Sequence, residues 1–100
     1  MKKRFMVGLD SSTLAQDQAF IKLLSGPYGW WHWLKNFWLI YDPNGVLTAS
    51  EVRRMADEVY PSVTKFVIEL RPDGSDTWSG TGPGTGERNM FKWIRENWSK

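Results

Sequence analysis

An α+β domain, with the order strand, helix, strand, strand, helix, strand and one more helix appended, is the fold class that this sequence of 100 residues predicts. Three observations lead there. Apolar residues alternate in "KRFMVGL" and "TKFVIEL", which is the period of a half-buried strand. "TASE" has capping-box spacing just ahead of an apolar stripe of helical period. Between them runs the aromatic stretch Tyr28–Asp42, too long for one ordinary strand.

Taken in order, Lys3 to Leu9 places Phe5, Val7 and Leu9 on one face and Arg4, Met6 and Gly8 on the other, with Asp10 continuing that second face. "DSST" supplies capping oxygens for a helix whose stripe is Leu14, Ile21 and Leu24, with Phe20 one turn before Leu24. "SGPYG" stops it. The stretch Tyr28 to Asp42 divides at "LKN" into a hairpin, and "DPNG" ends it with turn residues. The capping box Thr48 to Glu51 then opens a helix with Val52, Met55, Ala56 and Val59 on one face, closed by Pro61. Thr64 to Leu70 is the fourth strand, with Phe66, Ile68 and Leu70 on one face. A Gly-, Pro- and Ser-rich loop follows, and the tail regains helical spacing through Met90, Ile94 and Trp98, with Phe91 alongside.

This order is the split βαβ pattern called ferredoxin-like, an antiparallel sheet with both main helices on one face. The boundaries expected are a ferredoxin-like domain over residues 1–71, a Gly-rich loop over 72–86 and a C-terminal helix over 87–100, packed on the same domain or on a partner subunit. The second face of the sheet then needs water, a ligand or a partner.

Composition narrows the function classes. Without cysteine there are no disulfides and no thiolate metal sites, and the single histidine excludes any multi-histidine cluster. Thirteen basic against eleven acidic residues give a net charge of +2, too small to imply nucleic-acid binding without a local patch. Seven tryptophans among fifteen aromatics exceed what a domain this size commonly carries and call for burial, a dimer interface or stacking partners. The opening "MKKRFMVGLD" reads as neither signal peptide nor membrane span, so a cytoplasmic protein is expected.

The strings "FMVGLD", "YGWWHWLKNFWLI", "LTASEVRR", "KFVIEL" and "TWSG" together resemble a group of small SinR-like proteins related to the CRISPR-associated Cas-two endonucleases. The resemblance spans about Arg4 to Trp78. It implies a ferredoxin-like homodimer with an Asp at the end of the first strand near the twofold axis. Asp10 holds that position, and two copies would bind one Mg²⁺ or Mn²⁺ for phosphodiester hydrolysis. The sequence departs from that pattern in a first helix whose one basic residue is Lys22 and in the Trp-containing tail.

Asp10 is thus the candidate catalytic and metal-binding residue, because hard divalent ions prefer carboxylate oxygen. Ser11, Ser12 and Asn36 are supporting candidates for orienting water or phosphate, with Thr64 also close. The alternative for Asp10 is a helix cap. Lys2, Lys3 and Arg4 are candidates for nucleic-acid contact beside the sheet edge, with Arg53 and Arg54 as a separate patch. His32, among tryptophans and sharing a face with Trp30 and Leu34, reads as a neutral, hydrogen-bonded structural residue. "GTGPGTG" lacks the Gly-Lys-Ser/Thr ending of a phosphate loop and reads as a flexible tether. The function expected is a non-catalytic dimeric module binding protein or nucleic acid, without membrane attachment. The alternative is a metal-dependent endonuclease.

Overall fold

A computed structural model describes residues 2–71, 77–84 and 88–98. The elements are β1 (Lys3–Leu9), α1 (Leu14–Leu24), β2 (Gly29–Leu34), β3 (Phe37–Asp42), α2 (Ala49–Val59) and β4 (Lys65–Glu69), followed by a π-helical turn at Ile94–Trp98. The four strands form one antiparallel sheet in the order β2-β3-β1-β4. β2 and β4 are therefore the edges. Among the described residues no helix is long and apolar enough to cross a membrane.

Both helices start as their sequences dictate. Thr13 caps α1 and Thr48 caps α2, each hydroxyl accepting from the third helical N–H while Gln16 or Glu51 returns the contact to the cap backbone. Phe20 and Leu24 of α1 and Val52 and Ala56 of α2 are buried. They pack with Phe5, Val7 and Leu9 of β1 and Trp38 and Ile40 of β3. Leu14, assigned to the α1 stripe from sequence, is 73% exposed. It sits at the first helical position, before the helix has turned onto the sheet.

Leu39 faces the opposite way and begins a second core. It is buried with Trp31, Met90, Phe91, Ile94 and Trp98, with Met6, Phe37, Leu70 and Trp93 partly buried against them. The second face of the sheet is thus covered by the chain's own tail. The tail is a turn leading into a π-helical turn (i→i+5) rather than a regular α-helix. Ile94 and Trp98 face the sheet while Arg95, Glu96 and Asn97 are exposed. Two ties hold it: the Trp31 indole Nε1 donates to the Met90 carbonyl at 2.7 Å, and Arg4 lies over the Trp98 ring with its guanidinium donating to the Arg71 carbonyl at 2.9 Å.

Residues 72–76 and 85–86 of the expected loop, and 87 and 99–100 of the tail, lie outside the described residues. The described part, 77–84, is no free tether. A Cβ at Gly80 would fall 2.6 Å from the Phe91 ring, and one at Gly82 would press on Met90 Sδ. Glycine at these positions lets the backbone lie directly on the tail.

The turn between β3 and α2 is organised by Asp42. Its carboxylate is fully buried and accepts from the backbone N–H groups of Asn44, Val46 and Leu47 at 3.0, 2.8 and 2.9 Å. Hydrogen bonds to a charged group contribute about 1.5–3 kcal/mol each, and bonds sharing one acceptor do not simply add. Replacement of Asp42 by Ala is expected to cost about 3 kcal/mol or more. A thermal melt followed by circular dichroism should show a midpoint lowered by at least about 10 °C.

Candidate functional site

The sequence candidates gather at one end of β1. The Asp10 backbone N–H donates to the Thr64 carbonyl at 2.9 Å, and the Leu9 N–H donates to the Asn36 carbonyl at 2.8 Å. Ser12 Oγ donates to Asn36 Oδ1 at 2.9 Å. Asn36 takes the positive φ of 64° that the hairpin turn demands. Asp10, Ser12, Asn36 and Thr64 therefore share a corner, with Ser11 exposed between the first two. The Asp10 carboxylate is exposed and does not cap α1, since Thr13 does. Asp42 pairs with Lys3 at the far end of β1 and contributes nothing here. Among the described residues, no three of His, Asp and Glu stand close enough to hold a metal ion together. Among the described residues, this corner of one chain offers one carboxylate, that of Asp10, beside hydroxyl and amide oxygens.

Four of the basic candidates make contacts within the chain, while Arg54 is exposed on α2. Arg4 is buried and spent on the tail, as described above. Lys3 donates to the Leu47 carbonyl at 3.0 Å and lies 3.9 Å from Glu69, and Lys2 sits over the Tyr41 ring. On α2, Arg53 pairs with Asp57 at 2.7 Å. Asp57 also accepts from Lys65 at 2.6 Å, and that hydrogen bond chiefly holds its carboxyl below the ordinary carboxylate range. Arg4 stands on the side of β1 where the chain fastens its own tail.

A polar cluster that sequence reading missed joins α1, β2 and α2. Asp17 accepts from the Tyr60 hydroxyl at 2.7 Å and faces His32 Nε2 at 3.3 Å. His32 Nδ1 lies 2.9 Å from the Phe37 carbonyl, and the imidazole stacks on Trp38 at 3.8 Å, nearly parallel. A carbonyl only accepts, so the Phe37 contact is made by a donating ring N–H, with the other ring nitrogen facing Asp17. With both nitrogens engaged, His32 has no free atom with which to act as a general base. Trp30 shares its face by packing on Trp38, whereas a bulge between Trp31 and Leu34 carries Leu34 to the opposite face. The signal that could have exposed the cluster is Asp17 itself, an acidic residue one turn before the buried Phe20 and thus bordering the apolar stripe.

Tyr60 is fully buried, and burial, reinforced by its hydrogen bond to Asp17, pushes its phenol well above the ordinary value of 10.0. No hydrogen bond of good geometry reaches the buried Trp38 Nε1, though that N–H lies near enough to the Tyr60 oxygen to oppose the shift weakly. Because the unfolded phenol ionises near pH 10 while the folded one stays protonated, the unfolded state loses the proton first and stability falls as pH rises beyond that point. A pH series of thermal melts is expected to show this alkaline loss. Tyr60→Phe should flatten it, and tyrosinate absorbance in the folded wild type should fall one residue short of full ionisation. Comparison of the chain with protein-family models, with curated proteins and with solved structures found no match.

Proposed function

We propose that this chain is a non-catalytic binding module of ferredoxin-like topology that works as a homodimer. Its setting, from the SinR-like resemblance, would be a mobile element or a defence locus. The observation that carries the reading is the β4 edge. Phe66 is 69% exposed and Ile68 39% exposed on an edge strand whose outer backbone groups have no strand partner in the sheet. If a second copy paired antiparallel about Val67, Phe66 of one would stand opposite Ile68 of the other. Lys65 would stand opposite Glu69. Both matches, apolar with apolar and basic with acidic, favour cross-strand pairing in that register.

That register also bears on the alternative. Asp10 adjoins Thr64, so pairing about Val67 would leave the two Asp10 carboxylates at opposite ends of the joined strands, about 20 Å apart along them. They would not share an ion. The engagement of Lys2, Lys3 and Arg4 within the chain further favours a protein partner over nucleic acid. The metal-dependent endonuclease keeps one observation in its favour, the exposed Asp10 carboxylate beside Ser11, Ser12 and Asn36. It would need a dimer that meets through that corner.

Two outcomes test this. Light scattering at tens of micromolar should report a dimer for the wild type, and Ile68→Lys, placing two lysines opposite the two Phe66 rings, should weaken it by at least about tenfold. A monomeric wild type would remove the proposal. Assays on single- and double-stranded DNA and RNA with Mg²⁺ or Mn²⁺ should show no cleavage. Cleavage that is abolished by both EDTA and Asp10→Asn would instead establish the endonuclease reading.

A further inference from the structure

The tail does not lie flush on the sheet. Between the second sheet face, the tail and the strand of backbone at 77–81 is a cavity of about 410 Å³. Its floor is Met6, Trp31 and Leu39, and its roof is Phe91, Trp98 and Trp78. Its size lies within the range of small-molecule sites, and its chemistry is one-sided. None of the described residues lining it is Lys, Arg, His, Asp or Glu. The polar atoms at hand are the hydroxyls of Thr77, Ser79 and Thr81 along one rim. The indole N–H of Trp31, which would otherwise be a donor in the floor, is already bonded to the Met90 carbonyl.

The chain also shows why the space stays open. Gly80 lines the cavity and meets the Phe91 ring so closely that a Cβ there would clash, and Gly82 lies against Met90, so the backbone bears on the tail there and closes one wall of the cavity. Trp78 stacks on Phe91 with centroids 5.6 Å apart, which holds that aromatic pair in the roof. Leu34, carried to this face by the β2 bulge, is 48% exposed and lines the mouth.

We propose that this cavity is a binding site for an uncharged, planar aromatic molecule of about two or three fused rings. Charge is disfavoured because the described lining supplies no counter-charge, and a buried ion without one is heavily penalised. Planarity follows from indole and phenyl walls, which reward offset stacking and edge-to-face contact. A hydroxyl or carbonyl on one edge of the molecule would meet the rim of Thr77, Ser79 and Thr81. Nucleic acid is excluded from this site by its phosphates. The proposal does not depend on the dimer.

The test uses the full chain, with 1-naphthol as the neutral probe and naphthalene-1-sulfonate as the charged one of the same ring system. Methionine methyl resonances locate the binding. Met6 and Met90 line the cavity, whereas Met55 packs in the helix layer and serves as an internal reference. Saturable shifts at Met6 and Met90 with 1-naphthol, an unmoved Met55, and binding of the sulfonate weaker by at least about tenfold are expected. Met6→Trp, which fills the floor, should weaken 1-naphthol by a similar factor. The proposal falls if 1-naphthol moves neither methyl up to its solubility limit. It falls equally if the sulfonate binds as well, or if the shifts centre on Met55. Should the Met6 variant fail to fold, the methyl map of the wild type still decides.

Discussion

Trp38, Leu39 and Ile40 are consecutive, and all three are buried. Because neighbouring strand residues point to opposite faces, a strand with three buried apolar residues in a row cannot belong to a sheet with one wet face. Both sides must be covered, and the rest of the molecule follows from that. α1 and α2 cover the side of Trp38 and Ile40. The side of Leu39 is covered by the tail, which must cross back over the sheet after β4 to reach it. Arg4 is buried in β1 for the same reason: it stands on the side the tail covers, and its charge is spent on the Arg71 carbonyl and the Trp98 ring.

The buried polar groups are few and committed. Asp42 holds the turn that returns the chain from β3 to α2, and Asp17 pins the hydroxyl of Tyr60 and the ring of His32 where two helices and a strand meet. Buried carboxylates and imidazoles are common starting points for acid–base chemistry. Here their lone pairs and protons are used in holding elements together, and the exposed carboxylate of Asp10 stands among hydroxyls and an amide.

Much of the strand and helix plan was legible in the sequence because it is written in short periods. Alternation in β1 and β4 and the capping box at Thr48 involve residues no more than a few positions apart. What stayed hidden depends on contacts remote in sequence. Leu14 satisfies the helical period and yet is exposed, because periodicity does not reveal where along the helix packing begins. The Leu34 bulge breaks an alternation that the sequence shows unbroken. Arg4 resembles a surface cation until the tail, more than ninety residues later, is laid upon it. The Asp10 corner was anticipated from topology alone, whereas the Asp17 cluster was not, since its three members lie on three different elements.

Covering one face with a tail instead of a helix layer has a further consequence. A tail reaches only so far, and this one covers β2, β3 and part of β1 but leaves β4 bare. The boundary runs through Met6. Its side chain lines the cavity beneath the tail, and its backbone stands opposite Ile68, one of the two exposed residues at the edge. A molecule seated in the cavity would therefore rest against Met6, while a second copy on β4 would rest against Ile68, its cross-strand neighbour. If an occupant of the cavity shifts Met6 toward Ile68, it alters the surface offered to the second copy, and linkage requires that the second copy alter the affinity of the cavity by the same factor. A flexible thioether at that boundary suits such coupling, because Met re-packs at little cost where a β-branched residue would resist.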